Sequence, residues 1–472
     1  MRARPFPRRR ALSAVLVLLL ATACGGTGGG PAGPRAGAAG VGDPLFPDLG
    51  NGGYDVGHYG LTLDYDPATG RLRGTAVITA DPREDLASFN LDLKGLTVRS
   101  VRVGGEDART TRKGGELTVF PAKPLKKHAG FRTVVVYEGK PQQITDPDGS
   151  TEGWIATDGA AVGLGEPAGS TAWFPGNHHP SDKATYDITV TVPEGFTAVA
   201  NGELTSTERG PGGRTAFTWH TGQQMASYLA TVAVGRFSVT TARTPHGLPV
   251  YVAAAPGQAD AAARTAALLP QVLDWGSRLF GPYPFSSTGA VVDNNPEVGY
   301  ALETQPKPYF HAAPEDRTVV HEVAHQWFGN SVTPRTWRDM WLNEGFATYA
   351  EWLWEEQHGG RTARQIFADY YSGKDPQSQG IWAFPPDAPT ARTVSDPPVY
   401  GRGAMVLHKL RERLGDRAFF AVLQRWTQLY RYSNAGTDAF VHLVESTAGK
   451  KEADQVFATW LHQAGKPASP GD

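Results

Sequence analysis

Residues 321–325 read His-Glu-Val-Ala-His, and this short stretch decides how the rest of the chain is interpreted. Positions i and i+4 of an α-helix share one face, so His321 and His325 can direct imidazole nitrogens at one tetrahedral metal ion. Glu322 lies beside them and can reach a water molecule at that ion. The stretch therefore predicts a helix that carries two metal ligands and a catalytic base.

A third protein ligand is expected, because a catalytic zinc site usually has three and leaves one position open. Residues 341–345 read Trp-Leu-Asn-Glu-Gly, and Glu344 follows His325 after 18 intervening residues. We expect Glu344 to be that ligand. Two imidazoles and one carboxylate suit Zn²⁺, with one ion per chain.

Residue types beside these ligands predict two helices. Asp316 suits a first turn and residues 329–330, Gly-Asn, suit a C-terminal stop, so the first helix is predicted between them. The second helix is predicted to begin at Asn343 as its cap and to run to about Gln357, before the Gly-Gly pair at residues 359–360. Both helices would then carry ligands of one metal ion.

The ligands lie within longer stretches that match a known family. Residues 321–330 read His-Glu-Val-Ala-His-Gln-Trp-Phe-Gly-Asn, and residues 341–346 read Trp-Leu-Asn-Glu-Gly-Phe. With them, the chain resembles the aminopeptidase N family of zinc metallopeptidases (gluzincins) over about residues 50–465. The further matching stretches are Trp-Phe-Pro at 173–175, Pro-Ser-Asp-Lys-Ala-Thr-Tyr at 180–186, Ala-Asn-Gly at 200–202, Met-Ala-Ser-Tyr-Leu at 225–229 and Phe-Gly-Pro-Tyr-Pro at 280–284.

The resemblance implies an α+β fold. An N-terminal all-β, saddle-like domain is expected, followed by a mainly helical, thermolysin-like catalytic domain. We assign residues 44–250 to the β-domain and residues 251–467 to the zinc peptidase domain. The large helical C-terminal domain of many family members is expected to be absent, because the chain ends soon after residue 404.

The hydrophobic pattern also favours two such halves. Apolar and polar residues alternate at residues 61–65, 96–103 and 186–192, as in half-buried strands. From about residue 259 onward the spacing becomes helical, and helices are predicted at 261–280, 404–414 and 418–429. Pro270 is expected to start, break or kink a helix within the first of them.

The resemblance assigns catalytic roles to two residues. Glu322 corresponds to the general base, which takes a proton from water and delivers it to the leaving amine. Tyr400, in Tyr-Gly-Arg-Gly-Ala at residues 400–404, corresponds to the tyrosine that donates a hydrogen bond to the developing oxyanion. Without the resemblance, Tyr400 would be interpreted as a packed or loop tyrosine.

Two further carboxylates are implied to bind the substrate amine. Glu303 lies in Tyr-Ala-Leu-Glu-Thr at residues 300–304, where the family has Gly-x-Met-Glu-Asn, so the sequence departs from the pattern at residues 300, 302 and 304. Glu166, in Gly-Glu-Pro at residues 165–167, corresponds to a second amine-binding acid from the β-domain. Its own surroundings indicate only a loop acid before a proline.

Three other candidates have weaker claims. The His-His pair at residues 178–179 could bind a metal ion but is predicted to lie at the surface. Glu351 follows Glu344 by seven residues on the same helical face, where it would either orient a ligand or form a surface salt bridge. Residues 352–354, Trp-Leu-Trp, are predicted to pack in the core or at the domain interface, with a pocket wall as the alternative.

The N-terminus predicts export. Five Arg residues precede an apolar run at residues 11–20, and the single Cys of the chain, Cys24, follows at the expected cleavage point. Residues 1–24 resemble a bacterial lipoprotein signal with a lipidated Cys24, and residues 25–43, rich in Gly, Ala and Pro, would form a flexible tether. An ordinary secretory signal cut near Ala23 is the alternative. The expected location is the outer face of a bacterial cell membrane, or otherwise the secreted fraction.

The composition excludes several classes of protein. Of 472 residues, 40% are hydrophobic, which is enough for large packed cores and argues against a disordered chain. The 45 Lys and Arg residues against 47 Asp and Glu give a formal net charge of −2, which argues against a nucleic-acid partner. A single Cys can form no internal disulfide.

The predicted function is that of a zinc aminopeptidase acting on peptides with a free N-terminal amine. Two alternatives remain at this point: a zinc endopeptidase, and a catalytically inactive peptide-binding lipoprotein of the same fold. Glu166 and Glu303 argue against the first, and the intact ligands and catalytic residues argue against the second. A monomer is expected, with membrane contact only through a lipid on Cys24.

Overall fold

Alternating apolar residues build the first half of the chain from β-strands. The computed structural model describes residues 33–157 and 159–471, so the predicted export signal and Cys24 lie outside the described residues. Strand β2, Tyr54–Asp66, buries Leu61, Leu63 and Tyr65 while the residues between them are more exposed. This confirms the strand predicted at residues 61–65.

The strands of the first half pair into three sheets. One sheet has the order β15-β16-β13-β2-β3-β9-β5-β6, the second β10-β11-β12-β17-β14 and the third β1-β4-β8-β7. Their bounds are β1 Arg35–Ala36, β2 Tyr54–Asp66, β3 Arg71–Pro82, β4 Leu86–Asp92, β5 Thr97–Val103, β6 Glu106–Asp107, β7 Arg109–Lys113, β8 Glu116–Phe120, β9 Phe131–Gly139, β10 Gln143–Thr145, β11 Thr151–Thr157, β12 Ala160–Leu164, β13 Lys183–Pro193, β14 Thr197–Ala200, β15 Glu203–Gly210, β16 Arg214–Ala226 and β17 Val232–Gly235. Short 3₁₀ turns lie at Gly169–Ala172 and Ser227–Leu229.

The second half combines a five-stranded sheet, β18-β19-β20-β22-β21, with helices. Its elements are β18 Ser238–Arg243, β19 Pro249–Ala254, α1 Ala259–Phe280, β20 Thr288–Val292, β21 Ala301–Leu302, β22 Tyr309–Phe310, α2 Asp316–Ala324, β23 Val332–Pro334, α3 Trp341–Gln357, α4 Ala363–Ser372, α5 Gly403–Leu414, α6 Asp416–Leu429, β24 Ser433–Ala435, α7 Thr437–Ala448 and α8 Lys450–Val456. Short 3₁₀ turns lie at Trp337–Asp339 and Pro376–Ser378, and π-helical turns at Pro398–Arg402 and Phe457–His462. None of the helices that the structure describes has the length and apolar character needed to cross a bilayer.

Strand β19 crosses the predicted domain boundary between residues 250 and 251. It pairs in parallel with β20, from Val250 opposite Thr288 to Ala254 opposite Val292, and β18 pairs with its other edge. The sheet of the second half therefore begins at Ser238. The hydrophobic pattern could not show this, because a strand alternates in the same way whichever sheet it joins.

The part of the predicted tether that the structure describes is held against the protein. Arg35–Ala36 forms strand β1 and pairs with β4. Asp43 is buried, and its carboxylate accepts hydrogen bonds from the backbone N–H groups of Leu45, Phe46 and Trp337. These bonds fix the end of the predicted tether, so its flexible character is wrong for residues 35–43.

Helix α1 continues through Pro270, which corrects the prediction that this residue starts or breaks a helix. Leu268 and Leu269 before it, and Val272 and Leu273 after it, are all buried on the same helix. Apolar packing on both sides of the proline maintains the helix although one backbone hydrogen bond is lost.

The two ligand-bearing helices differ from their predicted bounds. Helix α2 ends at Ala324, because the N–H groups of Gln326 and Trp327 bond three residues back and tighten the chain into turns. The predicted stop at residues 329–330 is therefore too late. Helix α3 begins at Trp341, so Asn343 is not its cap.

Helices α3 and α5 approach each other closely where the site is formed. A Cβ atom added to Gly345 would lie 2.9 Å from the backbone of Gly403, and one added to Gly403 would lie 3.0 Å from the Cα atom of Gly345. Both residues must be Gly for this crossing. The crossing sets the position of Glu344 on α3 relative to Tyr400, which lies just before α5.

We predict that Gly345→Ala destabilises the protein by about 1–3 kcal/mol, because the added methyl group forces α3 away from α5. Chemical denaturation measures the change in the free energy of unfolding. Gly210→Ala is the matched control, since the nearest atom to its added methyl group is 3.8 Å away. Equal stability of the two variants would contradict the close crossing.

Candidate metal centre and active site

Helices α2 and α3 bring three potential metal ligands together. His321 lies on α2, His325 follows one turn later at its end, and Glu344 lies in the first turn of α3. The Oε2 atom of Glu344 is 3.2 Å from His321 Nε2 and 3.5 Å from His325 Nε2. Ligand atoms on a tetrahedral Zn²⁺ ion, at bonds of about 2.0–2.1 Å, are about 3.3–3.4 Å apart. Both distances from Glu344 therefore match a zinc site, and all three ligand atoms lie within 4.8 Å of one another.

The second nitrogen of each imidazole is held by the protein. His321 Nδ1 lies 2.6 Å from Oε1 of Glu351, and His325 Nδ1 lies 3.1 Å from the carbonyl oxygen of Phe328. Both partners accept hydrogen bonds, so both histidines carry the proton on Nδ1 when neutral and present the Nε2 lone pair to a metal ion. Glu351 therefore makes both contacts that were predicted as alternatives: one oxygen meets His321, and the other pairs with Arg317.

Without a metal ion, the ligands form ion pairs with one another. Burial alone would lower the pKa of His325, but the carboxylates of Glu344 and Glu303 outweigh burial and raise it to about 9. Burial alone would raise the pKa of Glu344, but the two histidines lower it to about 2. A metal ion that binds here therefore displaces protons from the imidazoles.

Glu322 lies beside the ligands and is almost fully buried. One of its carboxylate oxygens lies within 4.8 Å of ligand-type atoms of His325 and Glu303. Burial raises the pKa of Glu322 to about 8, although the two neighbouring histidines oppose the shift. A carboxylate with this position and proton affinity can exchange a proton with a water molecule at the metal site.

Glu303 follows β21 and is held from several directions. Its side-chain Oε1 accepts a hydrogen bond from Asn343 Nδ2 at 3.1 Å. Its backbone carbonyl accepts hydrogen bonds from Gln326 Nε2 at 3.2 Å and from Asn330 Nδ2 at 2.6 Å. These three polar residues lie in the same stretches as the metal ligands, and sequence reasoning missed their role. The one available signal was Asn343, an amide at a position inside α3 that a packed helix would fill with an apolar residue.

Glu166 reaches the same place from the β-rich half, directly after β12. Carboxylate oxygens of Glu166, Glu303 and Glu344 lie within 4.8 Å of one another. Glu166 Oε1 is buried and has no hydrogen-bond partner among the described residues. Burial and then the charge of Glu303 raise the pKa of Glu166 well above its usual range. An unpartnered, buried carboxyl group beside a second one is suited to bind a cation.

Tyr400 lies opposite His321, in the π-helical turn Pro398–Arg402. The two rings are nearly parallel, with an interplanar angle of 13° and 6.3 Å between their centroids. Burial and the charge of Glu344 raise the pKa of Tyr400 well above its usual range, so the phenol keeps its proton and can donate it in a hydrogen bond.

All seven predicted site residues line one cleft, which has a volume of about 610 Å³.

Glu351 also lines the cleft, whereas the His-His pair and Trp352 do not. The His-His pair at residues 178–179 is buried, which corrects its predicted surface position: His178 Nε2 bonds to the carbonyl oxygen of Phe174, and His179 Nε2 lies 3.1 Å from Asp43. Trp352 is buried against Tyr370, as predicted for a packing residue.

Two models of known protein families match the chain. The Peptidase M1 N-terminal domain matches residues 56–229, and the Peptidase family M1 domain matches residues 311–460. A crystal structure of a glutamate-to-alanine mutant of an M1 zinc metallopeptidase from Deinococcus radiodurans, bound to a Tyr-Ser-Ala substrate, aligns with a TM-score of 0.83. It is 31% identical, and the match covers 91% of this chain and 99% of that chain. The chain belongs to peptidase family M1.

Longer M1 relatives match as well. Aminopeptidase N of Lactococcus lactis subsp. lactis is 30% identical over 458 residues, which are 87% of this chain and 51% of that protein. Aminopeptidase M1 of Arabidopsis thaliana is 28% identical over 332 residues, which are 65% of this chain and 37% of that protein. This M1 chain therefore spans about half, or less, of the length of these relatives. The predicted family and the predicted α+β fold are confirmed.

We predict that Glu351→Gln weakens zinc binding by about 10- to 100-fold, because the amide is a poorer acceptor for the Nδ1 proton of His321. Titration with a competing chelator measures the zinc affinity directly. The control is Glu356→Gln on the same helix, whose carboxylate pairs with Arg411 away from the ligands. An unchanged zinc affinity in Glu351→Gln would show that the contact does not orient the ligand.

Proposed function

We propose that this M1 peptidase is a zinc-dependent aminopeptidase that hydrolyses the N-terminal peptide bond of peptides. The observation that carries the proposal is the position of Glu166 and Glu303 next to the metal ligands. They come from opposite halves of the chain, and one of them has no partner for its buried oxygen. The names of the Lactococcus and Arabidopsis relatives, and the peptide bound to the Deinococcus protein, support the same activity.

The metal is zinc in this proposal, held by His321, His325 and Glu344. The nitrogen and oxygen atoms of this set, their spacing and the fixed imidazole tautomers all fit that ion. When bound, zinc supplies a Lewis acid that polarises the scissile carbonyl and lowers the pKa of water.

The protein's own groups then move the protons. Glu322 takes a proton from the attacking water and delivers it to the nitrogen of the leaving amine. The phenol of Tyr400 donates a hydrogen bond to the carbonyl oxygen of the substrate as negative charge develops there. Because the pKa of Tyr400 is raised, that donor is present throughout the neutral range.

Glu166 and Glu303 fix the substrate by its N-terminus. An ammonium group has three N–H donors, and two carboxylates can accept several charge-assisted hydrogen bonds from it. The ammonium also places a positive charge beside Glu166, whose pKa is raised by burial and by the charge of Glu303, and this charge lets Glu166 ionise. Only a substrate with its terminal amine at this point places its first peptide bond at the metal ligands.

We predict that N-acetylation of a peptide lowers kcat/KM by at least about 10²-fold, because two buried carboxylates then lose their cation. A free-amine peptide and its acetylated twin are compared by chromatography of the products. Glu166→Gln should reduce the difference between the two peptides while zinc stays bound. Equal cleavage of both, or products from internal bonds, would favour an endopeptidase instead.

We predict that Glu322→Gln lowers kcat by about 10²- to 10⁴-fold, the usual contribution of general acid–base catalysis. The amide keeps the shape of the side chain but cannot accept the proton of water. Steady-state kinetics measures the loss, and metal analysis confirms that zinc is retained. Glu315→Gln, an exposed acid directly before α2, is the control. Near-native turnover of a zinc-loaded Glu322→Gln protein would assign the base to another group.

We also propose that the protein is exported and held at the outer face of a bacterial membrane by a lipid on Cys24. The arginine-rich start, the short apolar run and the Gly-rich residues after Cys24 support this. We predict that Cys24→Ser moves the protein from the membrane fraction to the soluble exported fraction. Mass spectrometry of the mature N-terminus provides the check. An unmodified Cys24 would indicate that the protein is secreted without a lipid anchor.

A further inference from the structure

Arg317 is the one Lys or Arg side chain that the described residues place in the lining of the metal-site cleft. The same lining includes five carboxylates, which are those of Glu166, Glu303, Glu322, Glu344 and Glu351. Away from the metal ligands His321 and His325, a cleft with this composition repels anionic groups except next to a fixed cation. The position of Arg317 therefore determines where a negatively charged part of a substrate can be placed.

Arg317 lies at the opposite end of the cleft from the amine-binding acids. Helix α2 gives the order of the groups, since Arg317 is in its first turn and His321 follows one turn later. Gln326 and Asn330 follow the other end of α2, and their side chains donate hydrogen bonds to the backbone carbonyl of Glu303. Along the helix the order is therefore amine-binding acids, metal ligands, and then the guanidinium group.

The guanidinium group has free donors. Arg317 Nε lies 2.7 Å from Oε2 of Glu351, whose other oxygen binds His321. The Arg317 side chain is 42% exposed, and its Nη1 and Nη2 atoms have no hydrogen bond to any residue that the structure describes. The planar fork of a guanidinium matches the two oxygens of a carboxylate.

The length of a peptide fits this arrangement. A substrate with its ammonium at Glu166 and Glu303, and its first carbonyl at the metal ligands, directs its second residue toward the first turn of α2. An extended chain advances by about 3.3–3.6 Å per residue, and one turn of α2 rises by about 5.4 Å. A group on the second residue therefore comes within reach of the long Arg317 side chain.

We propose that Arg317 binds a carboxylate on the leaving side of the scissile bond and makes the enzyme prefer substrates that carry one there. The carboxylate has two possible sources: the C-terminus of a dipeptide, or the side chain of Asp or Glu as the second residue. The inference rests on the aminopeptidase function proposed above, because that function sets the direction of the bound peptide.

Binding to the zinc-loaded Glu322→Gln protein tests the inference without turnover. Calorimetry measures the affinity for two pairs of ligands. The first pair is a dipeptide and its C-terminal amide. The second pair is a peptide amide with Asp as its second residue and the same compound with Asn there. With Arg317 present, we expect the carboxylate member of at least one pair to bind about tenfold more tightly, as for a partly exposed charge-assisted pair. Adding Arg317→Gln should remove that difference and leave the affinity of the uncharged members within about twofold.

Two controls separate recognition from a structural effect on Glu351. Arg264→Gln removes an exposed positive charge on α1, outside the cleft lining. Arg317→Lys keeps the charge at residue 317 but removes the planar guanidinium group. We expect full carboxylate preference in the first and partial preference in the second. If Arg317→Gln weakens the binding of all four peptides equally and also lowers the zinc affinity, the inference is overturned in favour of a positioning role. If neither pair shows a preference for the carboxylate member, the inference is overturned outright. Failure of the enzyme with Glu322 intact to cleave any of these peptides would instead contradict the proposed function.

Discussion

Repulsion among buried carboxylates is the constraint on which the whole site depends. Burial and neighbouring negative charge raise the pKa of Glu166 well above its usual range, and burial raises that of Glu322 to about 8. Glu344 has a pKa near 2 although it is also buried, because two histidines face it. The difference lies in the available cations. Glu344 faces two histidines, whereas among the described residues the buried Oε1 of Glu166 has no hydrogen-bond partner and its nearest charges are those of other carboxylates.

Hydrogen bonds between the two halves hold that repulsive cluster in place. Lys183, the first residue of β13, donates to the backbone carbonyls of Asn330 and Ser331 at 2.9 and 3.0 Å. Asn201 donates to the carbonyl of Gln305 at 2.6 Å. The acceptors lie just after α2 and just after Glu303. The β-rich half is therefore attached to the two segments that flank the site, which fixes the distance from Glu166 to the metal ligands.

The parts of the site that follow from local periodicity could be predicted from the sequence, and those that follow from tertiary contacts could not. The helical spacing of residues 321–325 and the carboxylate of Glu344 are local features, and the structure brings them together. Asn343 looked like a helix cap because Asn favours that position. It lies inside α3 and binds Glu303, a residue 40 positions away. The buried His-His pair at 178–179 was misjudged for the same reason, since its partner Asp43 comes from a segment that resembled a tether.

Metal binding and substrate selection depend on different parts of the chain. The three ligands and Glu351 lie on α2, at its C-cap and on α3, so the metal site needs only the helical half. The amine-binding pair needs both halves, because Glu166 follows a strand of the β-rich half. A change that shifts the halves relative to each other should therefore leave metal binding intact while it removes the preference for a free N-terminus. In the proposed function, a peptide therefore extends from Glu166 and Glu303, where the two halves meet, past the metal ligands and toward Arg317 on α2.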